Sequence, residues 1–534
     1  MKNEGLYIKL GQGLNSLSHV LPKEYTQTLK VLLDDAPPVG FDVVQRIVEE
    51  EAQRPLSEVF SEFDPVPVAA ASIAQVHRAR LREGTEVAVK VRKPCITKQG
   101  EWDIRTYSLV STLVEYLFGL PTAWSRRTIV DGLRRETDFT IEAANAARFR
   151  EDFRHNRNVY IPKVFEEYTT KKLLVLEWID ALKLTETEKV RERFGEKKVL
   201  KIVFDAFGDM LFKNGFVHCD PHAANVLVRH RPSEDKKESS SSSGESKQTP
   251  KQKGSFWSRR HHDPQVVFID FGLSAPVTER FRVEYALLFK SIFTHDFDSL
   301  KKVASGWGLG NAESFASMQI QKPIDSMRKG NYDEITLEEV RGMQRNAHAR
   351  MKTFLLDEAK IPRELPLVGR GIDILRGINR LYDSPINRLN MFVQSAVEGL
   401  GPISDYEAAE QYLKRIEERQ KVLKSKKSTT TTTTSKAVDS VFDRSADEDR
   451  LQKQEIIREI KAERTANERF RQGLIATYRN FIFHCRLWQI HILYLFTRYV
   501  ALLSRWILPD SMRVNPNLLE DKIEERMESN IKIE

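Results

Sequence analysis

The sequence predicts an α+β protein in which two lobes enclose a cleft. Short valine-rich segments that alternate apolar and polar residues, such as "TEVAVKVRK" (85–93) and "KLLVLEWI" (172–179), are typical of strands. "NVLVRH" (225–230) and "VVFIDF" (266–271) predict a pair of strands that forms a hairpin. Longer amphipathic segments predict helices over 100–118, 126–154, 188–214 and 278–306. Strands with one or two helices therefore precede a mainly helical half, which favours two lobes of different composition.

Composition limits the classes of function. The chain has 534 residues, of which 40% are hydrophobic, so it can form three or four domains or one two-lobed catalytic domain with appendages. Its formal net charge of +8 suits a membrane surface or a nucleotide, and no concentrated basic arm indicates nucleic acid as a partner. Cys95, Cys219 and Cys485 lie far apart in the sequence, which disfavours disulfides and structural zinc.

The predicted organisation has five parts. Residues 231–264 have only Phe256 and Trp257 as large apolar groups, so we expect a disordered insert there. "KSKKSTTTTTTSK" (424–436) indicates a flexible linker. The predicted parts are a helical extension over 1–60, a catalytic domain over 61–310 that contains the insert, a helical region over 311–423, a disordered linker over 424–446, and charged and then amphipathic helices over 447–534.

The segment "FIFHCRLWQIHILYLFTRYVALLSRWILP" (481–509) comes nearest to a membrane helix, but it holds no run of 18 uncharged apolar residues. One helix face carries a histidine or an arginine at every seventh position, namely His484, His491, Arg498 and Arg505. The other faces are mostly apolar. This pattern fits a buried helix with a polar edge and, equally well, a helix in the plane of a membrane surface with snorkelling cations.

Three short motifs carry candidate chemistry. "VAVK" places Lys90 on a predicted strand, as in kinases, where such a lysine meets nucleotide phosphates and a helix glutamate. "VHCDPHAAN" supplies His218, Asp220 and Asn225, in which a carboxylate orients the attacking group and an amide five residues later turns back towards magnesium. "VVFIDFGLS" places Asp270, a hard oxygen ligand, directly after an apolar strand. Each motif alone also fits a strand lysine or a polar turn, but their order is shared with phosphotransferases.

Two features of protein kinases are absent from the sequence. No Gly-x-Gly-x-x-Gly precedes Lys90, and the alanine-rich "VAAASIAQVH" (68–77) stands there instead. Alanine lacks the freedom of glycine at positive φ, so we expect altered contacts to nucleotide phosphates. No Ala-Pro-Glu follows Asp270, which disfavours a platform for a protein substrate.

Together these motifs resemble the UbiB (aarF-domain) family of atypical protein kinase-like proteins. The resemblance covers roughly residues 1–310 and rests on six motifs in order, namely "KLGQ" (9–12), "AAASIAQVH" (69–77), VAVK, "ETDFTIEAANAARF" (136–149), "HCDPHAAN" and DFG. The alanine loop, "GFVHCD" and the long C-terminal half are most similar to the fungal and animal branch linked to mitochondrial lipid homeostasis. The resemblance implies a two-lobed protein-kinase-like fold with an N-terminal Lys-x-Gly-Gln helical extension and a helical C-terminal region.

The resemblance also implies roles for individual residues. Lys90 would bind the phosphates of ATP or ADP and pair with Glu142. Asp220 would be the catalytic aspartate, and Asn225 and Asp270 would be the Mg²⁺ ligands. The hinge over Leu176–Ile179 would contact adenine through its backbone. The other implied nucleotide contacts are the loop and hinge residues Ala70, Ala71, Ser72, Glu177 and Ile179.

Four further residues are implied to regulate the site, namely Lys9, Gln12, Glu136 and Asp138. The Lys-x-Gly-Gln helix would fold over the nucleotide lobe, and Lys9 would approach Glu136 and Asp138, so that the opening of the chain forms a lid where a protein substrate would dock. In the predicted helix, Asp138 and Glu142 are four residues apart and face the same way. The simpler interpretation of Lys9 and Gln12 is a polar decoration of an apolar helix.

Three departures from the family pattern are visible. Ala223 and Ala224 replace the usual Pro-Gly of the catalytic turn, which would restrict that turn, and Ala181 replaces the usual hinge glycine. Family members usually carry a targeting or membrane-spanning sequence before the Lys-x-Gly-Gln element. Here Met1 lies eight positions before Lys9, a spacing that indicates an N-terminally incomplete sequence.

The leading prediction for function is a Mg²⁺-dependent phosphotransferase or ATPase that acts in lipid homeostasis at the mitochondrial inner membrane, with 481–509 on the membrane surface. The alternative is a nucleotide-sensing pseudokinase or scaffold that regulates lipid or quinone metabolism, which the alanine loop favours. A third interpretation is a lipid-binding protein whose nucleotide site acts as a switch. No targeting peptide is visible, so the localisation follows from the resemblance, and the phosphoacceptor is not identified.

Overall fold

The computed structural model consists of two lobes with a cleft between them, as the sequence predicts. It describes residues 38–71, 73–118, 130–132, 134–232, 263–294, 296–309, 312, 315 and 360–430. Within these ranges the strands form one main sheet in each lobe, and helices pack on both sheets. The predicted α+β class is therefore confirmed.

The smaller lobe is built on an antiparallel sheet. Its elements, with the helix that joins it to the larger lobe, are α1 (Phe41–Ala52), α2 (Leu56–Val59), β1 (Phe60–Phe63), β2 (Ala69–Ala70), β3 (Ala74–Leu81), β4 (Glu86–Arg92), α3 (Pro94–Phe118), α4 (Phe139–Asp152) and β6 (Leu173–Glu177). The sheet has the order β1-β3-β4-β6, and β2 pairs with β3. Both strands predicted around Lys90 and the hinge are thus present as neighbours, β4 and β6.

The alternation of β4 separates an apolar face from a charged one. Val87, Val89 and Val91 are buried on the outer face of the sheet, where they pack under α1. Valine suits this setting because its branched side chain fits a pleated surface. Lys90 and Arg92 point to the other face, where they reach α4 and the segment before it. The strand therefore buries one face and directs two cations towards the cleft.

A buried glutamine joins the outer face of this sheet to the chain that precedes α1. Gln75 Oε1 accepts from the N–H of Val39 at 2.8 Å, and Gln75 Nε2 lies 3.3 Å from the carbonyl oxygen of Val39. Gln75 Nε2 also lies 2.8 Å from Nε2 of His77, whose Nδ1 lies 2.8 Å from the carbonyl oxygen of Asp64. Nδ1 of His77 must therefore carry the proton, and burial lowers the pKa of this histidine. The amide of Gln75 thus meets both backbone groups of Val39, as a neighbouring strand would.

The larger lobe combines a second sheet with a helical core. Its elements are β5 (Val159–Tyr160), β7 (Leu182–Lys183), α5 (Thr187–Phe194), α6 (Glu196–Asp209), a π-helical turn (Met210–Asn214), β8 (Phe216–His218), β9 (Val226–His230), β10 (Pro264–Phe268), β11 (Ser274–Pro276), α7 (Glu279–Thr294), α8 (Phe297–Gly306), α9 (Leu365–Leu381), α10 (Arg388–Leu400) and α11 (Tyr406–Thr430). The sheet order is β5-β10-β9-β7, and β8 pairs with β11. Apolar residues that recur every three or four positions bury α6 at the centre of this lobe.

The predicted strand pair around the insert is present as the β9–β10 hairpin. Pro264 lies opposite His230, and beyond this pair the N–H of Arg231 donates to the carbonyl oxygen of Asp263. The predicted insert therefore leaves from the tip of the hairpin, and its residues 233–262 lie outside the described residues. The other ends of the two strands, which carry the motifs, are side by side.

Three segments that the apolar spacing predicts as single helices are divided. In the segment 126–154, Asp138 has an extended backbone and caps α4, so this segment is not one helix. Gly195 separates α5 from α6 with a φ of 77°, which glycine adopts without strain. Asp296 begins α8 by accepting a backbone hydrogen bond as its N-cap. The spacing of apolar residues located these helices, and capping residues decided where each one begins.

The predicted helical C-terminal region is confirmed where it is described. α9, α10 and α11 cover most of 360–430 and pack against the larger lobe. α11 continues to Thr430, so it runs into the linker predicted from residue 424. Lysine is a good helix former, which allows the helix to pass through "KSKK".

Several predictions fall outside the described residues. They concern most of the extension predicted over 1–60 and all of the helices predicted over 447–534. The amphipathic segment 481–509 belongs to the second of these regions. Among the helices that are described, none combines the length and the apolar character that crossing a bilayer requires.

Candidate active site between the lobes

Lys90 lies at the centre of a charged cluster between the lobes. Its Nζ donates to both carboxylate oxygens of Glu142 at 2.9 Å and to Oδ1 of Asp270 at 3.1 Å. β4 supplies the lysine, α4 supplies the glutamate, and the turn after β10 supplies the aspartate. The predicted contact between Lys90 and Glu142 is therefore present.

The backbone of Asp270 is in the left-handed region, with a φ of 61°. This conformation is uncommon for residues other than glycine, although aspartate tolerates it better than most. Strained backbone of this kind concentrates at functional sites. The side chain of Asp270 is 43% exposed, whereas that of Glu142 is 3% exposed, so only the aspartate faces open space in the cleft.

Phe271 anchors the turn that carries Asp270. Its ring is buried and lies 5.0 Å from the ring of Phe149 on α4 and 5.4 Å from the ring of His218. Asn145, also on α4, donates from Nδ2 to the carbonyl oxygen of Phe271 at 2.9 Å. The helix that carries Glu142 is therefore fixed to the turn that carries Asp270.

The charges of this cluster shift the pKa values of its members. Burial alone would lower the pKa of Lys90, but the carboxylates of Asp270 and Glu142 stabilise the ammonium and raise this pKa overall. Burial raises the pKa of Glu142 to about 7, although Lys90 opposes this rise. One lysine thus serves two carboxylates, and the cluster favours a further cation.

His218 holds the catalytic loop predicted around Asp220. Its Nδ1 accepts from the N–H of Asp220, and its Nε2 lies 3.2 Å from the carbonyl oxygen of Ile269. Nε2 must therefore carry the proton of a neutral imidazole. Burial lowers the pKa of His218, which agrees with the neutral form. This histidine is a structural link between the loop and the strand end before Asp270.

The side chain of Asn225 turns back towards Asp220. Its Nδ2 lies 3.2 Å from the carbonyl oxygen of Asp220, and its own carbonyl oxygen accepts from the N–H of Ile269 at 3.0 Å. The ends of β9 and β10 therefore bring Asn225 and Asp270 together despite the insert. Neither Ala223 nor Ala224 has a positive φ. This turn therefore does not need the glycine that the family pattern has.

The cluster fits a magnesium ion that is bound together with a nucleotide. The amide nitrogen of Asn225 is engaged within the loop, which leaves its Oδ1 as the group for a cation, and the carboxylate of Asp270 is half exposed. In the described part of the chain, no three His, Cys, Asp or Glu side chains are arranged to hold a metal alone. Mg²⁺ usually takes one or two protein oxygens and completes its shell with phosphates and water.

The described part of the predicted nucleotide loop is a tight hairpin. Ala70 pairs with Gln75, and the N–H of Ala71 donates to the carbonyl oxygen of Ala74, while Ser72 lies outside the described residues. The register places Ala69 opposite Val76, which in turn lies opposite Lys90. The loop therefore lies at the same end of the sheet as Lys90, with β3 between β2 and the strand of the lysine.

The two predicted hinge positions differ in their free backbone groups. The N–H of Glu177 donates to the carbonyl oxygen of Lys163, and its carboxylate accepts from the hydroxyl of Tyr160 at 2.7 Å. The N–H of Ile179 makes no hydrogen bond to the described part of the chain. The backbone of Ile179, rather than the N–H of Glu177, is thus available to an adenine ring.

The predicted regulatory residues are only partly described, because Lys9 and Gln12 lie outside the described residues. Glu136 is buried beside Gly272, where an added Cβ would come within 3.9 Å of its Cγ. The carboxylate of Asp138 accepts from the N–H of Thr140 and so caps α4. The interpretation that Asp138 and Glu142 share a helix face is therefore wrong, since Asp138 precedes the helix.

Sequence reasoning missed one residue of the site. Arg370, on α9, donates from Nη2 to Oδ1 of Asp220 at 3.0 Å, although the two residues are 150 positions apart. Arg370 follows all the motifs noted in the sequence, and no local pattern marks it. Only the packing of α9 against the catalytic loop brings it to the site.

Comparison with known proteins agrees with this geometry. The family model for the ABC1 atypical kinase-like domain matches residues 31–304. "Probable serine/threonine-protein kinase abkD" of Dictyostelium discoideum is 34% identical over 402 residues, which cover 75% of this chain and 54% of that protein. The chain thus spans about half the length of this relative. "AarF domain-containing protein kinase 1" of Xenopus laevis is 31% identical over 380 residues, which cover 70% of this chain and 68% of that protein.

One solved structure similar to this chain is a complex of Rv3197 with erythromycin from Mycobacterium tuberculosis. It shares 21% identity, covers 74% of this chain and 93% of its own, and has a TM-score of 0.45. The match of the family model covers more than half of the chain, and the cluster of Lys90, Glu142, Asp220 and Asp270 lies within it. The predicted kinase-like fold is confirmed, and the chain belongs to the ABC1 (aarF-domain) family of atypical kinase-like proteins.

Proposed function

We propose that the chain is an atypical kinase-like phosphotransferase or ATPase that binds Mg-ATP or Mg-ADP in the cleft between its lobes. One observation carries this proposal, which is that β4, α4 and the β9–β10 hairpin bring Lys90, Glu142, Asn225 and Asp270 together around one cluster. Residues separated by up to 180 positions converge here, and their types suit phosphates and a divalent cation.

Each residue of the cluster has a proposed part in the chemistry. Lys90, fixed by Glu142, binds phosphate oxygens, and the N–H of Ile179 donates to the adenine ring. Asn225 and Asp270 hold the magnesium ion, which supplies positive charge against the phosphates when bound. Asp220 orients the attacking hydroxyl or water and accepts its proton.

The segment after Asp270 supports a small acceptor. One residue separates Gly272 from β11, which pairs with β8, and α7 begins at Glu279. This leaves no long activation segment on which a protein substrate could lie. Transfer to water or to a small molecule therefore fits the cleft better than transfer to a protein.

The proposal is tested by the affinity of the purified chain for nucleotide with and without Mg²⁺. We expect Asp270→Asn to weaken binding of Mg-ATP by at least about tenfold, since a metal ligand is lost. Binding of ATP in EDTA should not weaken, because the variant removes a negative charge from the site. Asp298→Asn, an exposed aspartate on α8, is the matched control. Equal Mg-ATP affinity in the wild type and Asp270→Asn would contradict the metal site.

The second candidate is a nucleotide-sensing pseudokinase or scaffold. The alanine-rich loop favours it, because the N–H of Ala71 already donates to the carbonyl oxygen of Ala74 and is not available to a nucleotide phosphate. Hydrolysis of ATP in the presence of anionic lipid, lost in Asp220→Ala while nucleotide binding remains, would exclude this candidate. Binding without any turnover would support it.

We further propose that the protein acts in lipid homeostasis at the mitochondrial inner membrane. This proposal rests on the resemblance to the mitochondrial lipid-homeostasis branch and on the sequence of 481–509, in which regularly spaced cations interrupt apolar residues. Co-sedimentation with anionic liposomes, with and without residues 481–509, tests the membrane contact. Equal sedimentation after the deletion would remove the segment from the proposal.

A further inference from the structure

Arg370 enters the acidic side of the cleft from outside the segment that the family model matches, which ends at residue 304. Its Nη2 lies 3.0 Å from Oδ1 of Asp220, and the two side chains are 26% and 10% exposed. A half-buried pair of this kind is screened little by water. The cleft is thus completed by a helix of the C-terminal region.

The position of Arg370 is set by the packing of α9. Val368, Ile372 and Leu375 of this helix are buried in the core of the larger lobe. Gly371 allows the close approach, since a Cβ there would stand 2.9 Å from the ring of Phe207 and 3.6 Å from the carbonyl oxygen of His218. The helix backbone therefore rests directly on the strand that leads into the catalytic loop.

Two acidic residues from different lobes attract the guanidinium. Burial alone would lower the pKa of Arg370, but Asp220 and Glu136 stabilise the cation and raise this pKa overall. Glu136 precedes the helix that carries Glu142, so Arg370 acts between the Glu-x-Asp element and the catalytic loop. Its Nε is buried and has no hydrogen-bond partner in the described part of the chain, so the guanidinium contacts Asp220 through Nη2.

We propose that Arg370 is the positioning residue for Asp220 in the reaction proposed above, on which this inference rests. The guanidinium holds Oδ1 of Asp220 and so fixes the rotation of the carboxylate that orients the attacking group. A misplacement of about 1 Å can lower a rate by about 100-fold. Residues 31–304 alone therefore do not form a complete active site.

Steady-state ATP hydrolysis by the full chain tests this role through Arg370→Gln and Arg370→Lys. We expect Arg370→Gln to lower kcat by about 100-fold and to change the KM for Mg-ATP by less than about threefold, because the residue orients the attacking side and not the nucleotide. Arg370→Lys should recover part of kcat, since it restores the charge but not the planar fork. Arg380→Gln, an exposed arginine on the same helix, is the control and should match the wild type.

The double variant separates positioning from a loss of fold. If Arg370 acts through Asp220, then Arg370→Gln should not lower the residual turnover of Asp220→Asn any further. A kcat of Arg370→Gln within threefold of the wild type, a defect in KM alone, or a full additional loss in the double variant would overturn the proposal. A wild-type chain that binds Mg-ATP without turnover would overturn the proposed function itself, and this inference with it.

Discussion

The acidic groups of the cleft are held by two cations of different origin. Lys90 holds Glu142 and Asp270 from the middle of a strand in the smaller lobe. Arg370 holds Asp220 from a helix of the C-terminal region. The first contact joins three motifs of the kinase-like segment, whereas the second depends on a helix that lies after that segment.

This difference shows which parts of a site a short motif can encode. The valines of β4 determine that Lys90 faces the cleft, so its direction follows from neighbours in the sequence. Arg370 gains its direction only from the way α9 packs on Phe207 and the catalytic loop. A local motif is therefore enough to predict the position of Lys90, whereas the position of Arg370 follows only from tertiary packing.

The largest expected effect comes from removing the first cation with Lys90→Met. Turnover of ATP should fall by about 100- to 1,000-fold, since a preorganised charge that faces the phosphates is lost. Because Glu142 is 3% exposed and would lose its partner, the free energy of unfolding should also fall by about 3 kcal/mol. Nucleotide turnover and urea unfolding measure both effects.

The pH dependence of Lys90→Met gives a sharper measurement. Burial raises the pKa of Glu142 from 4.5 to about 7 even with Lys90 present, and without the lysine it should rise further. A raised pKa in the folded state means that stability is lost as the pH rises from 4.5 through the folded value, by about 1.4 kcal/mol per pH unit. Lys171→Met, an exposed lysine before β6, is the control. A flat profile in Lys90→Met would contradict the assignment of a buried, unpaired Glu142.

An intermediate effect is expected at the second cation through Gly371→Ala. The added Cβ would stand 2.9 Å from the ring of Phe207, so the ring or α9 must shift, and a shift of α9 moves Arg370 away from Asp220. We expect the free energy of unfolding to fall by about 1–3 kcal/mol, which is the usual cost of overpacking a core, and we expect kcat to fall as well. Thermal unfolding and ATP turnover measure these changes.

Gly377→Ala, on the same helix, is the matched control for Gly371→Ala. Gly377 is exposed, and nothing lies within 4 Å of a Cβ added there. Alanine should therefore raise the free energy of unfolding by about 0.5–1 kcal/mol through its helix propensity, with kcat unchanged. Equal effects of the two substitutions would show that α9 does not rest on the catalytic loop as described.

The smallest effect is expected at the tip of the β9–β10 hairpin. Replacing residues 232–262 with Asn-Gly joins Arg231 to Asp263 through a two-residue turn that fits a hairpin. Asn225 and Asp270 lie at the other end of the hairpin, so the Mg-ATP affinity should stay within about threefold, because the ladder between them is kept. A loss of Mg-ATP binding beyond tenfold would show that the insert takes part in the site.

Much of the fold and of the cluster could be predicted from the sequence because alternation and spacing act over short distances. The valines around Lys90 and the five-residue interval from Asp220 to Asn225 determine geometry locally, and both agree with the structure. Asp138 shows the limit, since apolar spacing continues across it while its carboxylate prefers to cap the helix that follows.

The remainder depends on contacts that no local pattern contains. Nothing near Arg370 indicates Asp220, because the contact is made by the tertiary packing of a helix 150 positions away. The alanines of the catalytic turn were predicted to restrict it, but neither has a positive φ, so the turn accepts them. The roles of Ala70, Ala71, Glu177 and Ile179 towards nucleotide stay predictions, and so do those of the residues that lie outside the described ranges.

The glutamine that meets Val39 has a consequence for where this chain can be cut. A catalytic fragment begun at residue 61, the predicted domain start, would lose Val39 and also Val44 and Val48, which cover the outer face of β4. Such a fragment would expose apolar surface and leave Oε1 of Gln75 without the N–H of Val39, which costs about 1–3 kcal/mol for the polar group alone. Residues 38–60, the described part of the extension, therefore fold together with the smaller lobe, and a stable fragment must include Val39.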